Sequence, residues 1–162
     1  MVVLGLDIGY DRCGFAILSG TSRKNELVTA GVILTDKKLP IQKRLRILKE
    51  DLISIDKQYK PEVMCIEKLF FNRRNTVFEK ICMSKGIAFE IFCDTTIIEV
   101  EPKKAKKDVL GDGNIDKKQV KFLVAKLFNT NFDNVPDDTY DAIYLALYGL
   151  QTRELEKMYN RS

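Results

Sequence analysis

Two apolar runs open the chain, residues 2–8 and 13–19, and only Gly9-Tyr10-Asp11-Arg12 separates them. That spacing suits an antiparallel hairpin and predicts a fold that starts from two paired strands. One residue does not belong in such a strand. Asp7 follows Val2, Val3, Leu4 and Leu6 and precedes Ile8. A lone buried carboxylate costs several kcal/mol unless it is paired, hydrogen-bonded or bound to a cation. Asp7 is therefore either an acceptor that ties down the GYDR turn or a group that holds a positive charge.

The rest of the chain alternates in character. Residues 27–35 read as a third strand, and residues 40–57 carry Ile41, Leu45, Leu48, Leu52 and Ile55 at helical steps, with Pro40 near the start. After Pro61, EVMCIEKLFF reads as a fourth strand, a helix is expected over 76–92, and TTIIEVE (95–101) is a fifth strand. Residues 103–114 read as a lysine- and glycine-rich connection, followed by helices at 115–128 and 138–158 with a break at Asp133-Asn134-Val135-Pro136. This order predicts an α/β chain with a mixed five-stranded sheet flanked by helices. One domain spanning 1–162 is expected.

Composition narrows the chemistry. There is no histidine, which excludes Ser-His-Asp and Cys-His catalysis and any histidine-ligated metal. Cys13, Cys65, Cys82 and Cys93 form no C-x-x-C pair and read as buried small apolar side chains. No run reaches the ~18 apolar residues of a membrane span, and the N-terminus lacks a signal-peptide layout, so a cytoplasmic location is expected. The net charge is +4, with the basic residues clustered in KKAKK (103–107), at Arg73-Arg74, and at Lys43, Arg44 and Arg46. Clusters of this kind suit a solvated face or a phosphate-rich partner.

Further carboxylates repeat the anomaly of Asp7. Glu67 alternates with Val63, Cys65 and Leu69 on one strand face. If the first and fourth strands are parallel neighbours, Asp7 and Glu67 project side by side. Asp138 and Asp141 lie three apart and share a helix side, and Ala142 and Ala146 would let that helix press against a sheet. Four such groups repel unless a hard divalent cation neutralises them, and Mg²⁺ and Mn²⁺ prefer oxygen ligands. Asp137 and Asp138 could equally cap their helix, and Glu67 could be a strand-edge charge. Spacing alone leaves both readings open.

Taken in order, four segments resemble the RuvC-type Holliday junction resolvases. GLDIGYDRCGFAIL resembles the family's opening strand pair, and PEVMCIEKLFF its glutamate strand. KKDVLGDGNIDKKQV is similar to its lysine–glycine segment, and PDDTYDAIYLAL to its last helix. The resemblance covers residues 2 to 148. The departures are Ile8 for a proline, Tyr10 for a small residue, an asparagine one place late at Asn75 with Arg74 in its stead, and Gly149 for a frequent histidine.

The resemblance implies an RNase H-like fold of the retroviral-integrase superfamily and a Mg²⁺-dependent endodeoxyribonuclease. It would resolve four-way DNA junctions in recombination and repair by paired symmetric nicks. Asp7, Glu67, Asp138 and Asp141 would be catalytic residues holding two Mg²⁺ per site, with Mn²⁺ able to substitute. Lys106 and Lys117 would assist near the scissile phosphate. Phe70, Arg73, Arg74, Lys103, Lys104, Lys106, Lys107 and Lys117 would contact DNA, Phe70 having ordinary core packing as its alternative. The resemblance also implies a homodimer. A broader branched-DNA or RNA–DNA hybrid nuclease of the same fold, and a non-catalytic junction-binding protein, are the competing readings.

Overall fold

The computed structural model describes residues 1–69, 77–129 and 135–160. Alternating apolar residues build a five-stranded sheet from β1 (Val2–Asp7), β2 (Arg12–Gly20), β3 (Asn25–Leu34), β4 (Val63–Glu67) and β5 (Thr96–Val100), in the order β3-β2-β1-β4-β5. β1 pairs antiparallel with β2, and β2 with β3, whereas β1–β4 and β4–β5 are parallel. The two parallel links are made through helices, α1 (Ile41–Tyr59) and α2 (Phe78–Ile91). This is the predicted mixed sheet, with β1 at its centre.

The strand pleat divides the core in two. Leu4, Leu6, Ile17, Met64 and Ile66 point to one face, where Leu48 and Leu52 of α1 and Ala88 of α2 cover them. Val3, Ala16, Val63 and Cys65 point to the other, beneath α5 (Asp137–Tyr159). α3 (Pro102–Leu110) and α4 (Lys117–Phe128) pack on α5 from outside. From Thr139 to Leu150 every residue of α5 is buried except Asp141, as expected of a helix covered on all sides.

α5 packs against the sheet at positions that carry no side chain. A Cβ on Gly5 would stand 2.0 Å from the carbonyl oxygen of Ala142 and 2.4 Å from the nitrogen of Ala146. A Cβ on Gly14 would stand 2.0 Å from the carbonyl oxygen of Asp138. Gly5, Gly14 and the small Ala142 and Ala146 are thus one packing device, which brings helix backbone onto strand backbone.

Three expectations are corrected. Residues 102–110 are helix α3, not an irregular connection. Pro102 occupies its first turn, Ala105 is buried, Val109 and Leu110 pack against the α5 side of the core, and Gly111 ends the helix at φ +91°. The Lys104–Asp108 pair one turn apart offsets part of the lysine repulsion. Arg44 does not belong to a surface patch: it is 4% exposed, lies 3.7 Å from the Tyr10 ring centroid, and donates to Asp11, Thr35 and the Tyr10 carbonyl. Cys13 and Cys65 are buried, but Cys82 and Cys93 are exposed, because α2 turns one side to solvent and Cys93 lies beyond its end.

Candidate active site

The site forms at the carboxyl end of β1. Asp7 is the last residue of that strand, paired across to Gly14 of β2. Glu67 ends β4, one step past the Leu6–Ile66 pair, so both carboxylates leave the sheet at one level and on the α5 side. Asp138 and Asp141 come from the first turns of α5, held down by the contact of the helix with Gly14. One sheet end and one helix start therefore bring the four acids into electrostatic contact.

Their protonation shows how closely they interact. Burial pushes the Asp7 carboxyl well above the usual range, and the charges of Glu67, Asp141 and Asp138 push it further, against the pull of Lys117. Asp141 is pushed up to about 6, by burial first and then by Glu67 and Asp138, with Lys106 and Lys117 opposing. Burial also raises Glu67, while the Tyr144 hydroxyl, Lys106 and Lys85 pull it back.

Two groups already engage these acids. The Tyr144 hydroxyl donates to Glu67 Oε1 at 2.9 Å. Arg12 Nε lies 3.2 Å from Asp138 Oδ2, in an orientation that makes no hydrogen bond, so this buried oxygen accepts none from the described residues. With Glu67 drawn to Tyr144 and Asp138 facing Arg12, no three acidic or thiol side chains among the described residues converge tightly enough to share one ion. The donor set itself fits a hard divalent cation: oxygen only, half-buried, mutually repelling, with one buried carboxylate oxygen that lacks a hydrogen-bond donor among the described residues.

Basic residues rim the acids. Lys106 stands 5.8 Å from the Tyr144 ring centroid, Lys104 5.4 Å from that of Tyr148, and Lys121 5.4 Å from that of Tyr140. Three tyrosines one turn apart on α5 thus each meet a lysine from α3 or α4. Lys117 and Lys121 pair with Asp137 at 3.4 and 2.8 Å, which holds the Asp137 carboxyl below its usual range. Asp137 therefore binds α4 to α5 rather than capping its own helix, whose start at Pro136 has no side-chain cap. Lys103 and Lys107 are exposed on α3. Phe70, Arg73 and Arg74 lie outside the described residues.

Sequence reading missed Arg12, Tyr144 and Lys85. Tyr144 was within reach, since it stands three residues past Asp141 and shares its helix side. Lys85 is buried, donates at 2.8 Å to the Glu67 carbonyl and pairs with Glu99 of β5, fixing the strand end that carries Glu67. Nothing local marks it, because its partners are 18 and 14 residues away.

Comparison with known proteins identifies the family and the fold. Residues 3–148 match the family model of the crossover junction endodeoxyribonuclease RuvC. The protein of that name from Thermosipho melanesiensis is 33% identical over 90% of this chain and 94% of its own length. Among solved structures, Thermus thermophilus RuvC superposes with a TM-score of 0.83 at 22% identity, covering 96% of this chain and 97% of that one. T. thermophilus RuvC in complex with Holliday junction substrate gives 0.79 at 20% identity, over 91% and 92%. The shared fold is RNase H-like, and the four acids lie inside the matched segment. With the family model covering most of the sequence, and relatives matched almost end to end, the chain belongs to the crossover junction endodeoxyribonuclease RuvC family.

Proposed function

We propose that this chain resolves Holliday junctions by paired symmetric nicks, as a divalent-cation-dependent endonuclease in DNA recombination and repair. The observation that carries the reading is the meeting of Asp7, Glu67, Asp138 and Asp141 at the end of β1, where their burial and mutual repulsion favour a bound cation. Family membership and the relative seen with junction DNA support the substrate.

The four carboxylates would hold Mg²⁺, two per site, with Mn²⁺ able to substitute. Such a pair supplies Lewis acidity at the attacking and leaving oxygens of a phosphodiester. The chain's own residues do the rest. Tyr144 orients Glu67 through its hydrogen bond, and Lys85 anchors the strand end behind it. Lys106 and Lys117, at the rim, neutralise phosphate charge near the scissile bond, and Lys103, Lys104 and Lys107 extend that basic surface along α3. Products would be 5′-phosphate and 3′-hydroxyl ends. A homodimer would present two such sites to the two-fold symmetry of the junction.

The test is cleavage of an end-labelled four-way junction with Mg²⁺, comparing the native chain with Asp7→Asn. Symmetric nicks by the native chain, with binding but no cutting by the variant, are expected. Equal cutting of RNA–DNA hybrids would favour the broader nuclease, and 3′-phosphate products would exclude the proposed chemistry. Junction binding with no cutting by either protein, in Mg²⁺ or Mn²⁺, would indicate a binding module.

A further inference from the structure

Arg12 stands where the acidic site opens into a groove of about 620 Å³, lined also by Tyr10, Asp11, Thr35, Lys37 and Asp138. Its partner is unusual. Asp138 Oδ2 is buried and accepts no hydrogen bond from the described residues, so the nearby guanidinium compensates it by charge alone. The two side chains also differ in freedom. Arg12 is 53% exposed at the start of β2, whereas Asp138 is 21% exposed and seated on Gly14. The carboxylate is fixed and the guanidinium can leave.

Resting on the cation site proposed above, we infer that Arg12 is an exchangeable counter-ion. It compensates Asp138 until a divalent cation takes that carboxylate, and it then turns into the groove to meet a DNA phosphate. A cation and a guanidinium compete for the same buried oxygen, so one must release it to the other. Once released, Arg12 enters a groove where, among the described residues, the one other acid besides Asp138, Asp11, is already paired with Lys37 at 3.0 Å and with Arg44, so a phosphate is the anionic partner left for it. Cation binding and DNA binding are thereby coupled, each favouring the other through the position of one side chain.

The experiment is a Mn²⁺ titration of the full chain without DNA, following free Mn²⁺ by electron paramagnetic resonance, on the native protein, Arg12→Gln and Arg12→Lys. Removing the competing charge should tighten Mn²⁺ binding in Arg12→Gln by about two- to five-fold, the scale of an exposed ion pair. Arg12→Lys, which keeps the charge, should stay near native. Unchanged or weaker binding in Arg12→Gln overturns the inference while leaving the cation site standing. If neither the native chain nor Arg12→Gln binds Mn²⁺ at millimolar concentration, the cation site falls and this inference falls with it. A second readout uses Ca²⁺ and an uncut junction. The Ca²⁺-dependent gain in junction affinity should shrink by about two- to five-fold in Arg12→Gln, and an undiminished gain overturns the phosphate half of the inference.

Discussion

At the scale of single residues, the candidate site crowds half-buried carboxylates that repel one another. A carboxyl raised in the folded state stabilises the fold below its unfolded value and loses that contribution as pH rises through the folded value. Asp141, moved from 3.8 to about 6, and Asp7 and Glu67, moved the same way, make the cation-free protein less stable at pH 7.5 than at pH 5. No histidine blurs that window, and the lowered values of Asp11 and Asp137 act below it. Thermal melts in a chelator should therefore give a Tm several degrees higher at pH 5, and millimolar Mn²⁺ should close the gap. Equal melting points in the chelator would contradict this account of the acids. Tyr144→Phe removes the donor to Glu67 and leaves the ring packed. Cleavage should slow on the order of ten-fold, with stability falling about 1–2 kcal/mol by denaturant titration.

At the scale of elements, the acids depend on how closely α5 approaches the sheet. Gly14→Ala would place a methyl group against the carbonyl of Asp138, backbone against side chain with nothing flexible to yield. The N-terminal end of α5 must lift, at a cost of about 3 kcal/mol or more, and Tm should drop roughly 6–12 °C. Because Asp138 and Asp141 lift with it, junction cleavage at a temperature where the variant is fully folded should also fall, and unchanged cleavage there would separate the helix position from the chemistry. α4 is set by a local device, the capping box of Asp116 and Gln119. Asp116→Ala should cost about 1 kcal/mol in unfolding free energy.

At the scale of the whole molecule, charge is arranged by sign. The acids lie at the sheet end, and α3 and α4 raise lysines beside them, held over the α5 tyrosines. A net charge of +4 is small for a DNA-binding chain, so affinity should come from this local rim. Replacing Lys103 and Lys107 together by alanine should weaken junction binding and reduce the slope of log K against log salt by about 2, if each meets one phosphate. Binding isotherms at several salt concentrations measure it, and an unchanged slope would place the DNA elsewhere.

The sequence by itself determined the strands, four of the five helices among the described residues, and the candidate acids. Alternation and helical spacing are local signals, and a carboxylate in an apolar run is conspicuous wherever the chain leads. Only the tertiary structure decided which way those acids turn and what they touch. Helix α3 was hidden because its lysines disguise an apolar side of just Ala105, Val109 and Leu110, which gains its stability from α5. Arg44 read as surface because its partners Asp11 and Thr35 lie in the hairpin and after β3. Arg12 facing Asp138, and Tyr144 bonded to Glu67, join residues 126 and 77 positions apart. Contacts over such separations exist only once the sheet order and the close seating of α5 are established, and no local pattern encodes either.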